Sequence, residues 1–171
     1  MMGIPNPPVD QMPVIDDSNI QILCSKGLII SENFEETCLT PNGYDLRIGE
    51  IKIGSSVHTA EAEVPPGKHF LVSTLEYVNL PVNIMAEIWI RSSYARRGVI
   101  GSFGAVDAGF RGNLTLSFYN ASDNHLKLAH GERIAQLVFH EMVGSAEKSY
   151  VERSGHYQGS RGVTVKGSDA L

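Results

Sequence analysis

The chain has 171 residues, of which 42% are apolar, which is enough for one domain with a buried core and too little for two. Its 19 acidic residues outnumber its 14 basic residues, so a broad nucleic-acid-binding surface, which needs clustered Lys and Arg, is excluded. No apolar run approaches the roughly 20 residues that span a bilayer, and we expect no membrane partner.

The chain has two cysteines, Cys24 and Cys38, and they do not form a Cys-x-x-Cys motif. The sequence starts with a Pro-rich stretch that lacks the basic-then-apolar order of a secretory leader. We therefore expect reduced thiols in a cytoplasmic protein.

The N-terminal part of the sequence predicts an arm and one short helix. Residues 1–17 are expected to form a loose arm. Ser18 is expected to cap a helix, because its hydroxyl can accept a backbone hydrogen bond, and apolar residues then follow at helical spacing up to Gly27. This is the one helix that the sequence predicts.

From Tyr44 onward the pattern changes to short β-branched and aromatic runs separated by Gly, Pro and Asn, which is typical of an antiparallel β domain. Strands are predicted over residues 70–78 and 84–90. Residues 134–139 are almost continuously apolar and predict a strand buried on both faces or at a subunit contact.

Leu114, Leu116 and Phe118 alternate with polar residues, so a strand would bring these three side chains to one face. Residues 121–124 are predicted to close a hairpin after this strand. The glycine-rich residues 154–171 are expected to be a mobile segment, which leaves one β domain over residues 18–153.

Several chemistries are excluded by missing motifs. The chain lacks the Cys-x-x-Cys of zinc-dependent nucleobase deaminases, and it has no P-loop, GxSxG, HExxH or GxGxxG motif. The histidines show no metal-ligand spacing, so we expect them to be solvated or structural. They are His58, His69, His125, His130, His140 and His156.

Clusters of Gly, charged and hydroxyl residues remain at predicted strand ends, in residues 43–47, 91–96, 104–112 and 131–137. Arg91 precedes Ser92 and Ser93, and a guanidinium beside two hydroxyls suits a polyphosphate. A surface ion pair with a serine turn is the alternative for this cluster.

Asp107 lies among Gly104, Gly109 and Gly112, which allow the backbone to approach a ligand closely. A carboxylate in such a loop can orient or deprotonate a water molecule. The local alternative is an Asx-turn, a frequent role of Asp beside Gly.

Together these clusters, GYDLR, RSSYARRG, GAVDAGFRGNLTLSFYN and GERIAQLVF, resemble the ordered motifs of the trimeric dUTPase and dCTP deaminase superfamily. The resemblance runs from about Ile20 to Thr164 and is closest to a dUTPase with a dCTP-deaminase-like body, of the archaeal type. It implies an all-β fold, a distorted β-barrel or jelly roll (the dUTPase-like β-clip) with one short N-terminal helix. It also implies a homotrimer whose sites collect residues from neighbouring chains.

The resemblance implies roles for individual residues. Asp107 would contact the deoxyribose 3′-hydroxyl and position the attacking water, and Phe110 would pack on the sugar. The backbone of Gly104, Ala105 and Val106 would read the pyrimidine. The phosphate-binding set would be Arg91, Ser92, Ser93, Arg96 and Gln136, joined by Tyr157, Gln158 and Arg161 from a C-terminal lid. Mg²⁺ would be carried by the substrate phosphates rather than by the chain, with Asp45 in a possible supporting role.

One position separates the two activities of the superfamily. Deaminases carry a glutamate in the strand after the aspartate motif, and Ser117 stands at that position here. A hydroxyl does not titrate near neutrality, so the sequence favours a dUTP diphosphatase in which Asp107 activates water for attack on the α-phosphate. The alternatives are a dCTP deaminase, a bifunctional deaminase and dUTPase, and a non-catalytic nucleotide-binding trimer.

Overall fold

The computed structural model describes residues 14–167. The helices are α1 (Asp17–Ser25), α2 (Ser92–Ala95) and α3 (Tyr150–Arg153), with a 3₁₀ turn at Glu36–Cys38. The strands are β1 (Ile29–Glu32), β2 (Leu39–Thr40), β3 (Gly43–Ile53), β4 (Ser56–His58), β5 (Glu61–Val64), β6 (His69–Thr74), β7 (Tyr77–Asn79), β8 (Ile84–Ile90), β9 (Val99–Ser102), β10 (Ala105–Val106), β11 (Arg111–Gly112), β12 (Thr115–Asn120), β13 (Leu126–Ala129) and β14 (Arg133–Glu141). Each helix in this range is too short or too polar to cross a membrane.

The predicted arm, residues 1–17, is only partly described, because residues 1–13 lie outside the described range. Val14 forms an isolated antiparallel bridge with His140. The Ile15 N–H donates to the Phe139 carbonyl at 2.9 Å. The described end of the arm is therefore attached to β14.

Helix α1 begins earlier than the sequence predicts. Asp16, not Ser18, is the N-cap, and its carboxylate accepts hydrogen bonds from the backbone and side-chain amides of Asn19 at 3.0 and 2.8 Å. A charged oxygen at the N-cap also interacts favourably with the helix dipole, so it wins over the serine hydroxyl. The helix is followed by Gly27 at φ +71°, the left-handed conformation that glycine adopts without strain.

The prediction of an all-β domain on a distorted barrel is confirmed, with two one-turn helices added. The largest sheet curls into a half-barrel whose strands follow the order β10-β8-β14-β3-β6-β12-β9, and β2 and β4 extend it alongside β3. A second sheet has the order β1-β7-β11, and β13 pairs with β5. Helices α2 and α3 were not predicted because one turn is too short to show an apolar period.

Strand β3 connects the two halves of the largest sheet. Its first half pairs with β14 and its second half with β6, and the register shifts between Ile48 and Ile51. Gly43 starts the strand where a Cβ atom would lie 2.3 Å from the Leu137 carbonyl oxygen. The close approach of β3 to β14 therefore requires glycine at this position.

The core lies inside the curl of the sheet. Leu114, Leu116 and Phe118 are buried on one face as predicted, and Phe118 stacks on Phe70 with ring centroids 5.2 Å apart. The predicted strand over residues 134–139 forms the middle of β14, where the apolar side chains are almost all buried.

One predicted strand has the wrong extent, and one predicted hairpin has the wrong partner. Residues 70–78 form two strands, β6 and β7, separated by a bend at residues 75–76, where the Glu76 carboxylate accepts a hydrogen bond from Arg47. Residues 121–124 do not close a hairpin, since β12 pairs with β6 and β9 while β13 pairs with β5. The buried Asn120 amide donates to the Val64 and Asn124 carbonyls and directs the chain towards β5.

Candidate functional site

The Asp107 loop is fixed on both sides by backbone hydrogen bonds. Before it, β10 pairs with β8, which holds the chain up to Val106. After it, the Phe110 N–H donates to the Asp107 carbonyl at 3.1 Å, and Gly109 adopts φ +87° in this turn. The Asp107 side chain is exposed and accepts no hydrogen bond from residues 14–167, so the carboxylate is not held in an Asx-turn.

A cavity of about 740 Å³ opens beside this loop, and we call it the Asp107 cavity. Its volume is in the range of small-molecule sites, about 300–1,000 Å³. The wall comes from β6, β12 and the Asp107 loop, and the cover comes from α3 and the C-terminal segment, which we define as residues 154–167. Residues that line the wall include His69, Leu71, Val106, Asp107, Phe110 and Ser117.

The C-terminal segment lies against the chain's own body. Gly112, at φ +151°, approaches Ser160 so closely that a Cβ atom would lie 2.6 Å from the serine oxygen. The Asn113 N–H donates to the Ser160 carbonyl, and the Ser160 hydroxyl donates to the Asn113 carbonyl at 2.8 Å. The predicted lid therefore lies beside the cavity, while its closure over a triphosphate stays a prediction.

The predicted phosphate donors of this segment are engaged within the chain. The Gln158 side chain accepts from the Arg111 N–H at 3.0 Å and donates to the Gly109 carbonyl at 3.3 Å. Arg161 makes two 2.7 Å hydrogen bonds to the Glu32 carboxylate. Tyr157 lines the Asp107 cavity.

The residues predicted to bind phosphate from the second motif lie on α2 and at its two caps, outside the Asp107 cavity. Ser92, Ser93 and Arg96 are exposed there. The Arg91 Nε atom lies 3.0 Å from the Asp45 carboxylate. Gln136, on β14, donates to the Thr40 hydroxyl at 2.6 Å and is likewise outside the cavity.

Asp45 does not have the surroundings of a metal ligand. It is buried, and its carboxylate faces the guanidinium groups of Arg91 and Arg133, the latter at 3.6 Å. Burial raises the pKa of Asp45, and the two arginines oppose that shift. Within residues 14–167 no group of three or more His, Cys, Asp or Glu side chains is arranged to hold a metal ion.

The structure thus brings together one part of the predicted site and separates another. One cavity is lined by Ala105, Val106, Asp107, Phe110 and Tyr157. Gly104 and the α2 cluster, which we define as Ser92, Ser93 and Arg96, do not line it. The sequence did not predict one contact at this cavity, because His69 was expected, like the other histidines, to be solvated or structural. The His69 Nε2 atom lies 2.9 Å from the Ser117 hydroxyl oxygen.

Comparison with known proteins identifies relatives over most of the chain. A family described as dCTP deaminase-like matches residues 52–142. The dCTP deaminase of Pyrococcus furiosus is 45% identical over 77% of this chain and 86% of its own. A dUMP-forming dCTP deaminase of Sulfurihydrogenibium sp. is 36% identical over 89% of this chain and 95% of its own.

A solved structure shares the fold. The 2′-deoxycytidine 5′-triphosphate deaminase from Agrobacterium tumefaciens superposes with a TM-score of 0.67 at 19% identity, over 75% of this chain. This chain spans about half of the length of that protein, 48%.

The interpretation of the chain as a dUTP diphosphatase is wrong. The relatives at 36–45% identity are named dCTP deaminases, which favours the alternative over the main interpretation. The error came from treating the missing carboxylate at Ser117 as decisive. A single strand position does not show which side chains the neighbouring strand brings to it, and β6 brings His69.

Proposed function

This chain belongs to the dCTP deaminase-like family, and from that membership we propose that it deaminates dCTP to dUTP and ammonia. The observation that carries the proposal is the 45% identity with a dCTP deaminase over 77% of the chain. The Asp107 cavity supports it, because its volume suits one nucleoside and its lining combines apolar side chains with hydroxyl, imidazole and carboxylate groups that can bind a polar ligand.

Within that cavity, the Asp107 carboxylate would accept a hydrogen bond from the 3′-hydroxyl of the deoxyribose. The buried Phe110 ring would pack on the sugar, and it is itself held edge-on by Tyr150 at 5.5 Å between ring centroids. The backbone of Ala105 and Val106 would contact the edge of the base, whereas Gly104, to which the superfamily resemblance gives the same role, lies outside the cavity lining. A rigid loop that presents backbone groups can distinguish donors from acceptors on a pyrimidine.

The triphosphate would be bound by a second copy of the chain. Ser92, Ser93 and Arg96 are exposed on α2 but do not line the Asp107 cavity, so a shared site would bring them to it. We propose the homotrimer that the superfamily resemblance implies. Mg²⁺ bound by the phosphate oxygens would offset their charge and requires no metal cluster on this chain.

The experiment incubates the purified protein with Mg²⁺ and either dCTP or dUTP, and measures ammonia and the nucleotide products. We expect ammonia from dCTP in amounts equal to the deoxyuridine nucleotide formed. Separation of the nucleotides by chromatography also shows whether that product is dUTP or dUMP. Absence of ammonia from dCTP would overturn the proposal.

A second candidate function is a nucleotide-binding protein without turnover. One observation favours it, namely Ser117 at the position where the superfamily's deaminases carry glutamate. Calorimetric binding of dCTP with no release of ammonia would identify this function and exclude the first.

A further inference from the structure

His69 and Ser117 form a hydrogen-bonded pair in the wall of the Asp107 cavity. In the register of β6 and β12, Ser117 lies opposite Leu71 and Tyr119 lies opposite His69. Paired residues share a face of the sheet, so the His69 and Ser117 side chains project from the same face on a diagonal. Their contact, 2.9 Å from Nε2 to the hydroxyl oxygen, has ordinary hydrogen-bond length.

The pair lies where the cytosine ring of a bound nucleotide could reach it. His69 and Ser117 both line the Asp107 cavity. Asp107 is the one carboxylate among the lining residues, which all fall within residues 14–167. If Asp107 binds the sugar hydroxyl, another side chain must transfer protons to and from the cytosine ring during deamination. An imidazole is the side chain best suited to that task near neutral pH.

We propose that Ser117 and His69 form the proton-transfer pair of the deamination, an inference that rests on the proposed function. Ser117 contacts the attacking water, and His69 acts through Ser117 by accepting and returning the proton at Nε2. This arrangement replaces one carboxylate by two side chains from adjacent strands. A hydroxyl hydrogen-bonded to an imidazole can relay a proton that the hydroxyl alone cannot hold.

The pair transfers a proton in each of two steps of one turnover. In the first step the water oxygen bonds to C4 of cytosine and the C4=N3 electron pair moves to N3. One water proton passes to the Ser117 oxygen, the Ser117 proton passes to His69, and the pair returns a proton to N3. In the second step the proton left on the C4 oxygen passes through the pair to the amino group. The C4–N bond then breaks, ammonia leaves, and the C4=O bond of uracil forms.

The experiment compares His69→Ala, Ser117→Ala and the double variant in dCTP deamination. His69 is exposed and Ser117 is half-buried, so these substitutions leave the core intact. We expect kcat to fall by about 10²–10⁴-fold with KM nearly unchanged, since that is the usual contribution of general acid–base catalysis. The double variant should lose no more than the worse single variant, because the two side chains act as one unit.

Two further measurements separate proton transfer from a structural role. Free imidazole should restore turnover to His69→Ala, and the His69→Ala, Ser117→Glu variant should regain turnover because its carboxylate supplies the missing base. His125→Ala is the matched control, because His125 is also exposed but does not line the cavity, and it should retain full kcat.

The outcomes distinguish this proposal from the proposed function. A wild-type protein that deaminates dCTP, with a His69→Ala variant of unchanged kcat, overturns the pair and leaves the function standing. A loss that neither imidazole nor Ser117→Glu restores also overturns it. A wild-type protein that releases no ammonia overturns the function, and the pair with it.

Discussion

At the scale of single residues, the site depends on side chains that the fold leaves exposed and on others that it buries completely. Asp107 lines the cavity, and its carboxylate accepts no hydrogen bond from residues 14–167. Nearby, the Asn113 side chain donates at 2.9 Å to the carbonyl of Glu76, whose own side chain is fully buried. The first kind of residue should affect turnover and the second should affect stability.

Asp107→Asn should lower kcat/KM for dCTP by about 10–100-fold, the loss expected for a hydrogen bond to a charged group. The amide is nearly isosteric, so the unfolding temperature should stay at the wild-type value. Steady-state kinetics and calorimetry check the two expectations. Undiminished kcat/KM would remove Asp107 from the site.

Glu76→Ala should destabilise the fold by about 3 kcal/mol, because it leaves the Arg47 guanidinium buried with one partner fewer. In the wild type, burial raises the pKa of Glu76, although Arg47 opposes that shift. Glu35→Ala is the control, since Glu35 pairs with the same arginine but is about half exposed, and its loss should be much smaller. Urea denaturation measures the free energy of unfolding of both variants, and equal decreases would contradict this expectation.

At the scale of elements, the sequence predicted individual strands, but it did not predict which strands pair with each other. The alternation of Leu114, Leu116 and Phe118 correctly predicted a half-buried strand, since a period of two needs only adjacent residues. The hairpin at residues 121–124 failed because the same pattern fits a distant partner, β5. The contact between His69 and Ser117 was unpredictable for the same reason, as it depends on which strand lies beside β12.

The attachment of the C-terminal segment should weaken in acid. The hydrogen bonds from Arg161 lower the pKa of Glu32. A carboxylate with a lowered pKa in the folded state contributes stability above its ordinary pKa, and this contribution is lost as the pH falls through the lowered value. The amide NMR signals of Gly159 and Gly162 should therefore shift in acid.

Glu32→Gln supplies the comparison for that titration. At neutral pH this variant should already show the signals that the wild type reaches in acid, because it lacks the charge that holds Arg161. Glu36→Gln, also exposed, is the control and should titrate like the wild type. Identical titrations of Glu32→Gln and the wild type would contradict the role of the ion pair.

At the scale of the whole molecule, the superfamily resemblance and the all-β fold are confirmed by relatives and by the curled sheet. Some of the predicted site residues line one cavity, and their roles stay a prediction. Residues 105–110 lie together because they are consecutive in one loop. The cluster on α2 lies apart from them within one chain, and only an assembly of chains would join the two sets.

A subunit-mixing experiment tests that assembly. Asp107→Asn and Arg96→Ala should each be poorly active alone, because each removes a different half of a shared site. In mixed trimers, roughly a quarter of the sites should combine two unaltered halves, since each half is drawn at random from two kinds of chain. Recovery of activity after subunit exchange checks this, and no recovery would mean that each chain forms its site alone.

Strand β3 has a consequence for the order in which the protein forms. Its first half needs β14, which is the last strand of residues 14–167, and its second half needs β6. Closing such a long loop costs chain entropy before the contacts are made, and folds of this kind form slowly. On the ribosome, the strand that holds the sheet together would therefore emerge well before its partner and remain half-paired until β14 has been synthesised.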